Sequence, residues 1–253
     1  MNLLGVKAIY AFEMARARRT LWQSLVAPVI TTSLYFLVFG TAIGSRMTAM
    51  GGVGYASFIV PGLIMLSVLT QSIFNASFGI YFPKFTGTIY ETLSAPISPL
   101  ETTLAYVGAA VTKAVLLALV TLATAAVLVE VRIDHPLLML VSLVAISTGF
   151  CLLGFAIGIW AKNFEQLQVI PLLVVTPLTF LGGVFYSIGA IGEPWRTVTH
   201  LNPILYLVSG FRWTFFSHAD VPLGASVAVM AGAILLPLAA IVWIFRTGYR
   251  LKQ

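Results

Sequence analysis

Residues 136–161 read PLLMLVSLVAISTGFCLLGFAIGIWA and contain no aspartate, glutamate, lysine or arginine. A helix needs about 20 consecutive apolar residues to cross the hydrocarbon core of a bilayer, and this run has 26. Of the 253 residues in the chain, 59% are hydrophobic and only 9% are charged, whereas about a quarter are charged in a soluble domain. This composition excludes a soluble domain and a disordered chain, and the single cysteine, Cys151, excludes a disulfide framework. The sequence therefore predicts a polytopic membrane protein.

Five more long charge-free runs divide the chain in the same way. They are 20–45, 47–83, 114–129, 166–192 and 221–245. The run 114–129 reaches the length of a span only when Lys113 is included. Because a backbone in lipid must satisfy its own hydrogen bonds, and because the runs do not alternate as barrel strands do, each is predicted to be helical. We expect an all-α polytopic membrane protein with six transmembrane helices near 22–44, 56–80, 105–129, 137–159, 168–188 and 223–245.

The basic residues indicate how the predicted spans are oriented. Six spans place both termini on one side, and the side richer in lysine and arginine is expected to be the cytoplasm. With Lys113 left out, the inner cations are Lys7, Arg16, Arg18, Arg19, Lys84, Lys162, Arg246, Arg250 and Lys252, and the outer ones are Arg46, Arg132, Arg196 and Arg212. We therefore predict cytoplasmic N- and C-termini. The net charge of +6 is interpreted as a topology signal, since no basic run is interleaved with stacking aromatics as in nucleic-acid-binding proteins.

The N-terminal segment precedes the first predicted span. We do not expect it to be a signal peptide, because four cations and Glu13 come before an apolar run that is too long for one. Residues 3–19 are expected to form a helix with Glu13 and Arg16 on one face. This helix is predicted to lie in the membrane interface, and a solvated basic lead-in is an equally compatible alternative. The residues expected to face the lipid are Leu3, Val6, Tyr10 and Met14. The predicted domains are 1–20 (interfacial helix), 21–248 (transmembrane domain) and 249–253 (cytoplasmic tail).

The chain lacks the residue patterns of membrane enzymes and ion-coupled carriers. The three histidines, His135, His200 and His218, fall in separate outer loops without metal-ligand spacing. The sequence has no glycine-rich phosphate loop ending in Gly-Lys-Ser/Thr. No aspartate or glutamate lies inside a predicted span, which argues against an ion-coupled carrier, and no pore-lining polar ring indicates a channel. We predict no catalytic, cofactor-binding or metal site in this chain.

Lys113 is the one ionisable residue inside a predicted span. It could line a path for an acidic substrate. Alternatively, its long side chain could reach the inner interface, because the fully charge-free part of this span begins only after it. The second interpretation is favoured.

The inner segment 82–101, FPKFTGTIYETLSAPISPLE, is too polar for lipid. Pro83 and the cluster Thr86-Gly87-Thr88 are predicted to begin a short helix, with Glu91 towards its end. Pro96 and Pro99 are expected to stop it before the third span. Such a helix could be a simple connector or a rigid lever that a soluble partner pushes.

The outer segment 181–216 is apolar but broken. Gly182 and Gly183 allow the fifth helix to break, and a short helix is predicted to begin at Pro194. The next stretch, 204–216, is apolar but contains Arg212. We interpret these pieces as re-entrant or interfacial helices. In the alternative, 201–219 is a seventh span, but Arg212 and the distribution of positive charge argue against it.

With these features, the sequence resembles the permease subunit of type-2 ABC exporters over nearly its whole length. The most specific stretches are FLGGVFYSI and LNPILYLVSGFR within 180–212 and GTIYETLSAPISPLE at 87–101. IVPGLIMLSVL at 59–69 and LYFLVFG at 34–40 add support. One difference is that Phe85 and Thr86 precede Gly87, where family members often have charged residues. The charge pattern of the surface formed by this inner segment therefore differs from that of such family members.

The resemblance implies an assembly and a role for each segment. The short inner helix would be the coupling helix, which docks on a separate ABC ATPase through Thr86, Gly87, Thr88, Ile89, Tyr90, Glu91 and Leu93. The outer re-entrant and exit residues would be Gly182, Gly183, Pro194, Trp195, Asn202, Pro203 and Arg212. The resemblance further implies a homodimer with two ATPase copies that carry ATP and Mg, in the bacterial inner membrane. Its solute would be amphipathic, lipid-linked or drug-like, and it would be exported from the cytoplasm or the inner leaflet.

Small residues and prolines add expectations about packing. The pairs Gly40/Gly44 and Gly154/Gly158 are each four residues apart, which favours close helix contact, either within the chain or between subunits. Six helices alone would hardly enclose a path for a bulky solute, so a dimer is expected. The prolines that could kink the predicted spans are Pro28, Pro61, Pro171, Pro177 and Pro237.

Two other functions remain open on the sequence. The chain could be a membrane anchor or scaffold that binds a partner without transport. An ion-coupled carrier is a third possibility, and its transport would persist without ATP and collapse with the ion gradient.

Overall fold

The computed structural model describes residues 2–43 and 53–248, and every regular element in these ranges is a helix. The helices are α1 (Leu3–Arg19), α2 (Leu21–Tyr35), a π-helical stretch (Phe36–Ile43), α3 (Tyr55–Phe58), α4 (Val60–Thr86), α5 (Ile89–Ser94), α6 (Pro99–Leu128) and α7 (Pro136–Trp160). They continue with α8 (Phe164–Ile170), a second π-helical stretch (Pro171–Val175), α9 (Thr176–Leu181), a 3-10 turn (Ile188–Ala190), α10 (Trp195–His200), α11 (Pro203–Phe216) and α12 (Leu223–Thr247). The predicted all-α class is confirmed.

Five helical stretches among the described residues are long and apolar enough to cross a membrane. They are Tyr55–Thr86, Pro99–Leu128, Pro136–Trp160, Phe164–Leu181 and Leu223–Thr247. They correspond to the second to sixth predicted spans. The first predicted span, 22–44, corresponds to a shorter apolar helix, Val26–Phe39, and residue 44 lies outside the described residues. A sixth span therefore stays a prediction, as does the cytoplasmic tail 249–253, which also lies outside the described residues.

Local sequence signals set the beginnings of these helices. α6 begins with a capping box, in which the Ser98 side chain accepts from the Glu101 backbone and the Glu101 side chain accepts from the Ser98 backbone. Proline occupies the first turn of α6, α7 and α11, where its missing N–H costs nothing. Asn163 caps α8, its side chain accepting from the Gln166 backbone N–H at 3.0 Å.

α4 lies at the centre of the bundle. In the stretch Tyr55–Thr86, 67% of the most apolar 18 residues are buried, against 11% in α12 at the periphery. α7 packs along α4 at Gly154 and Gly158, where an added Cβ would collide with the backbones of Ile73 and Ser77. This pair is therefore an intramolecular contact, one of the two alternatives for small-residue ridges. The other pair, Gly40/Gly44, includes Gly44, which lies outside the described residues.

The prolines in the spans have different positions. Pro28 and Pro237 lie inside α2 and α12, whereas Pro61 lies in the first turn of α4, where it causes no kink. Pro171 begins the π-helical stretch, and Pro177 lies in the first turn of α9. The Thr176 hydroxyl donates to the Pro171 carbonyl at 2.9 Å, so a side chain satisfies a carbonyl where the helix changes register.

Contacts between the loops define two ends of the bundle. At one end, called the α5 end, the Lys84 ammonium donates to the carbonyls of Ile159 and Ala161 at 2.7 and 3.3 Å. At the other, called the α11 end, the Asp134 backbone N–H donates to the Phe215 carbonyl at 3.1 Å. The loops predicted to be inner thus meet at one end and those predicted to be outer at the other. Which end faces the cytoplasm stays a prediction.

Candidate functional sites at the two ends of the bundle

The α5 end carries the predicted coupling segment. Ile89 is buried, 5% exposed, in an apolar cluster with residues of α4, α6, α7 and α12. Glu91 is exposed, and the side chains of Tyr90 and Leu93 are 49% and 39% exposed. One residue thus anchors α5 to the bundle while its neighbours face outward.

The predicted start of this short helix is wrong in one respect. Pro83 does not begin it; Pro83 lies inside α4, which continues to Thr86. The break comes at Gly87, which adopts the left-handed conformation, with φ 79°, and ends α4. The residues Thr86, Gly87 and Thr88 therefore form the corner between α4 and α5, and the hydroxyls of Thr86 and Thr88 lie 3.0 Å apart. At its other end, α5 stops at Ala95, which is extended as expected before Pro96.

The chain before this corner is tied to α7. The Tyr81 hydroxyl donates to the Lys162 carbonyl at 2.9 Å. The Lys84 ammonium caps the last carbonyls of α7, where the helix dipole favours a positive charge. α5 is therefore carried by a firmly connected pair of long helices.

α1 is a helix, as predicted, but the face assigned to lipid is partly wrong. The Tyr10 hydroxyl and the Thr112 hydroxyl are 2.9 Å apart, so Tyr10 faces α6. Ile9 packs on the apolar cluster that contains Ile89. Val6 and Met14 are partly covered, and the most exposed apolar side chains are Leu3, Leu4 and Phe12. The error arises because apolar periodicity does not show that a tyrosine hydroxyl will find a partner on a neighbouring helix.

Lys113 pairs with a carboxylate that neither of its two predicted alternatives included. Its ammonium lies 2.9 Å from Glu13 Oε2 in α1, and its side chain is 14% exposed. Arg16 also contacts Glu13 Oε2, at 2.7 Å, which confirms that Glu13 and Arg16 share a face. The Glu13 side chain is 2% exposed, so a carboxylate from α1 is buried against the third predicted span. The sequence alone did not link these residues, because they are 100 positions apart.

At the α11 end, the fifth predicted span stops earlier than expected, at Leu181 instead of residue 188. Gly183 has φ 80°, a conformation that favours glycine, and its carbonyl turns towards α11. The Arg212 guanidinium donates to this carbonyl at 2.5 Å and pairs with Asp220 at 3.0 Å. It also lies over the ring of Phe58, 4.0 Å from the centroid. Arg212, only 2% exposed, thus joins four separate parts of the chain.

Asn202 and Pro203 form the start of α11. The Asn202 side-chain oxygen Oδ1 accepts from the Ile204 backbone N–H at 3.0 Å, and its side-chain amide Nδ2 donates to the Leu178 carbonyl at 2.5 Å. It therefore caps α11 and also holds the end of α9. Pro194 immediately precedes α10, as predicted for the start of a short helix, and Trp195 is 61% exposed.

The alternative of a seventh span is not supported. α11 has 14 residues, which at 1.5 Å per residue is too short to cross the hydrocarbon core. Most of it is packed inside the protein, and its buried apolar residues are Ile204, Leu205, Leu207, Val208, Phe211 and Phe215. A short buried helix between α9 and α12 fits the predicted re-entrant arrangement, which is tolerated where protein covers it.

The sequence predicted Arg212 as a residue of the α11 end but not the residues that bind around it. Asp220 pairs with Arg212 and accepts from the Ser187 hydroxyl, and its backbone N–H donates to the Ser209 hydroxyl at 2.9 Å. No sequence motif predicts these contacts, because they connect α11 to the loops that precede and follow it.

The loop before α7 also packs on α11. The Ser217 hydroxyl donates to Asp134 Oδ2 at 2.8 Å, and Arg132 contacts Asp134 Oδ1 at 2.7 Å. These hydrogen bonds lower the pKa of the Asp134 carboxyl from its ordinary value. The ring of His135 stacks on Trp213 with centroids 4.5 Å apart. His135 is therefore a packing residue of this interface.

Comparison with known proteins agrees with this arrangement. Residues 5–216 match a family described as "ABC-2 type transporter". The chain is 39% identical over 227 residues to the inner membrane transport permease YadH of Escherichia coli (strain K12), with 90% of this chain and 89% of that protein covered. It is 20% identical over 237 residues to Nodulation protein J of Neorhizobium galegae, with 93% and 90% covered. Nodulation protein J of Rhizobium leguminosarum bv. viciae is 24% identical over 243 residues, with 94% and 91% covered.

Proposed function

Because the chain belongs to the ABC-2 type transporter family, we propose that it is the permease subunit of an ATP-driven exporter. It is a transport permease subunit and a multi-pass protein of the inner membrane. The proposal adds a separate ABC ATPase that binds and hydrolyses ATP with Mg, an outward direction of transport, and a class of solute.

The observation that carries the proposal is the geometry of α5. Its buried residue, Ile89, belongs to the same apolar cluster as the long helices, whereas Tyr90, Glu91 and Leu93 face outward. A soluble subunit can contact these side chains and push on the bundle without entering the membrane. Glu91 supplies the charged contact and Tyr90 and Leu93 the apolar ones. Thr86, Gly87 and Thr88 form the corner between α4 and α5, which determines the orientation of α5.

The α11 end supports an amphipathic, lipid-linked or drug-like solute. Phe185 follows the break at Gly183, and its ring lies 4.6 Å from Phe39 and 5.2 Å from Phe180 between centroids. Acidic residues of the five long apolar stretches occur only in the first turns of α6 and α8. Aromatic and uncharged side chains suit a solute with a large apolar part. The solute would exit between the bundle and the re-entrant segment.

The complete transporter is proposed to be a homodimer with two ATPase subunits. Among the described helices, the bundle is packed around a buried α4, which leaves no wide path through one subunit. A path for a bulky solute then forms between two copies. Each copy presents one α5 to one ATPase.

The test is to replace Tyr90 and Glu91 by alanine in the full chain and to co-purify it with its ABC ATPase from membranes. We expect the double variant to lose most of the bound ATPase, because interface affinity is concentrated in a few residues. ATP-dependent transport in vesicles should fall with it. The matched control is Leu201→Ala, which removes an exposed side chain at the α11 end (82% exposed) and should retain both properties.

Unchanged ATPase binding and unchanged transport in the double variant would reject the coupling role of α5. If the wild-type chain binds the ATPase but moves no solute under any condition, it is a membrane scaffold instead. Transport that persists without ATP and disappears with the ion gradient would identify an ion-coupled carrier.

A further inference from the structure

α1 contacts the chain on both sides of α5. Near the start of α1, the Asn2 amide donates to the Pro96 carbonyl at 3.2 Å, and the Asn2 backbone N–H donates to Glu101 Oε1 at 2.5 Å. Gly5 lies so close to Ile97 that an added Cβ would be 2.6 Å from the Ile97 side chain. All three partners lie between α5 and the first turn of α6, so this part of α1 holds the chain that follows α5.

The other end of α1 holds the chain that precedes α5. The Arg16 guanidinium lies over the rings of Phe78 and Phe82 in α4, at 5.2 and 5.9 Å from the centroids. Such cation–π contacts are attractive and are stronger where water is excluded. Arg16 therefore packs on the last turns of α4, shortly before the corner at Gly87.

A buried ionic cluster joins these contacts. Glu13 Oε2 is shared by Arg16 and by Lys113 of α6, at 2.7 and 2.9 Å. The carboxylate is buried, so each cation depends on it as a counter-ion. Lys113 connects Glu13 to α6, and Arg16 connects it to the rings on α4, so the cluster joins α1 to both helices. Glu13 Oε1 and Arg16 Nη1 are buried without a hydrogen-bond partner in the described chain. In the described chain, Oε2 of Glu13 therefore makes all the hydrogen bonds of this carboxylate.

We propose that α1 is a brace across both flanks of α5, and that Glu13 is its positioning residue. The inference rests on the proposed coupling role of α5. Glu13 does not touch solute or ATPase; it fixes α1 against Lys113 and Arg16, so that a force on α5 moves α4 and α6 together. Without its charge, Lys113 is left in the bundle without a counter-ion, α1 loosens, and α5 loses its fixed orientation.

The experiment measures the distance between α1 and α5 in the full-length permease in nanodiscs. Spin labels are placed on cysteines at Phe12 and Ser94, which are both exposed, while the native Cys151 is fully buried and stays unlabelled. Labelled chains are mixed with an excess of unlabelled ones, so that a dimer carries at most one labelled copy. Double electron–electron resonance of the wild-type background should then give one narrow distance peak. Glu13→Gln should lose this narrow peak, because Arg16 and Lys113 both lose the carboxylate that they share.

Two further variants keep the test decisive. Lys113→Met leaves Glu13 paired with Arg16 and should broaden the peak less than Glu13→Gln; it carries the test if Glu13→Gln does not give monodisperse protein. Arg18→Gln removes an exposed cation of α1 and should leave the peak narrow. A narrow peak in both cluster variants would overturn the brace.

The same samples separate this inference from the proposed function. In the complex with the ABC ATPase, Glu13→Gln should retain bound ATPase and lose the ATP-induced shift of the distance peak seen in the wild-type background. A variant that still shows the full shift would overturn the role of Glu13 in coupling. If the wild-type chain retains no ATPase, the proposed function fails, whereas the peak widths of the permease alone still decide the brace.

Discussion

Each end of the bundle holds a buried charged cluster, and the two clusters are built differently. At the α11 end, Arg212 pairs one-to-one with Asp220, eight positions away, and both side chains are at most 5% exposed. At the α5 end, Glu13 is shared by two cations, and Lys113 is 100 positions away. The first cluster holds the stretch 183–220 together and packs on Phe58, while the second joins three helices.

This difference indicates different tasks for the two ends. The Arg212 cluster fixes a broken stretch, 183–220, in which side chains satisfy the Gly183 carbonyl and the Asp220 backbone N–H. The Glu13 cluster depends on the mutual placement of α1, α4 and α6, and it lies next to the exposed α5. We therefore expect the α11 end to behave as a fixed frame and the α5 end to respond to a partner.

The largest effect is expected from breaking the Arg212 pair. Arg212→Leu leaves Asp220 buried without its counter-ion, which should lower the free energy of unfolding by about 3–5 kcal/mol. Chemical denaturation in mixed micelles measures it. Arg196→Leu removes an exposed cation from the same end and should change the free energy by less than about 0.5 kcal/mol.

The double variant Arg212→Leu with Asp220→Leu sharpens this result. With both charges removed, most of the lost stability should return, because replacing a buried ion pair by apolar residues is often neutral. If the double variant is as unstable as Arg212→Leu alone, the loss arises from the other contacts of Arg212 and not from the orphaned charge.

A smaller effect is expected where the two ends are joined by α4 and α7. Gly158→Ala places a Cβ against the backbone of Ser77, and separating the helices should cost about 1–3 kcal/mol. Gly232→Ala in α12 is the matched control, since an added Cβ there meets nothing within 4 Å. Equal stability of the two variants in the same denaturation assay would contradict the close contact of α4 and α7.

The smallest effect is a pH dependence at the α11 end. The folded-state pKa of Asp134 is lowered, chiefly by the hydrogen bond from Ser217 and then by that from Arg132. The stabilisation is therefore complete above the ordinary pKa of 3.8 and is lost as the pH falls through the lower folded value. Denaturation between about pH 2 and 5 should show this loss in the wild type, below pH 3.8, and not in Asp134→Asn. Identical pH profiles of the two proteins would show that Asp134 does not contribute.

The sequence predicted the parts of this fold that depend on composition and on local signals. Charge-free runs located five apolar helices, and the breaks at Gly87 and at Gly182-Gly183 followed from glycine and proline positions. Pro83 was misplaced because a proline near the end of an apolar helix need not stop it when a left-handed glycine follows. The pairs Glu13–Lys113 and Arg212–Asp220 could not be predicted, because tertiary packing brings them together and no spacing rule describes it.

The most direct test of the central claim compares crosslinking from the two ends. A photo-crosslinking phenylalanine analogue replaces Tyr90 in α5 or Trp195 in α10, both exposed aromatic residues at opposite ends. In membranes that contain the ABC ATPase, we predict a crosslink to the ATPase from position 90 and none from position 195. A crosslink from position 195 with none from position 90 would contradict both the orientation of the bundle and the role of α5.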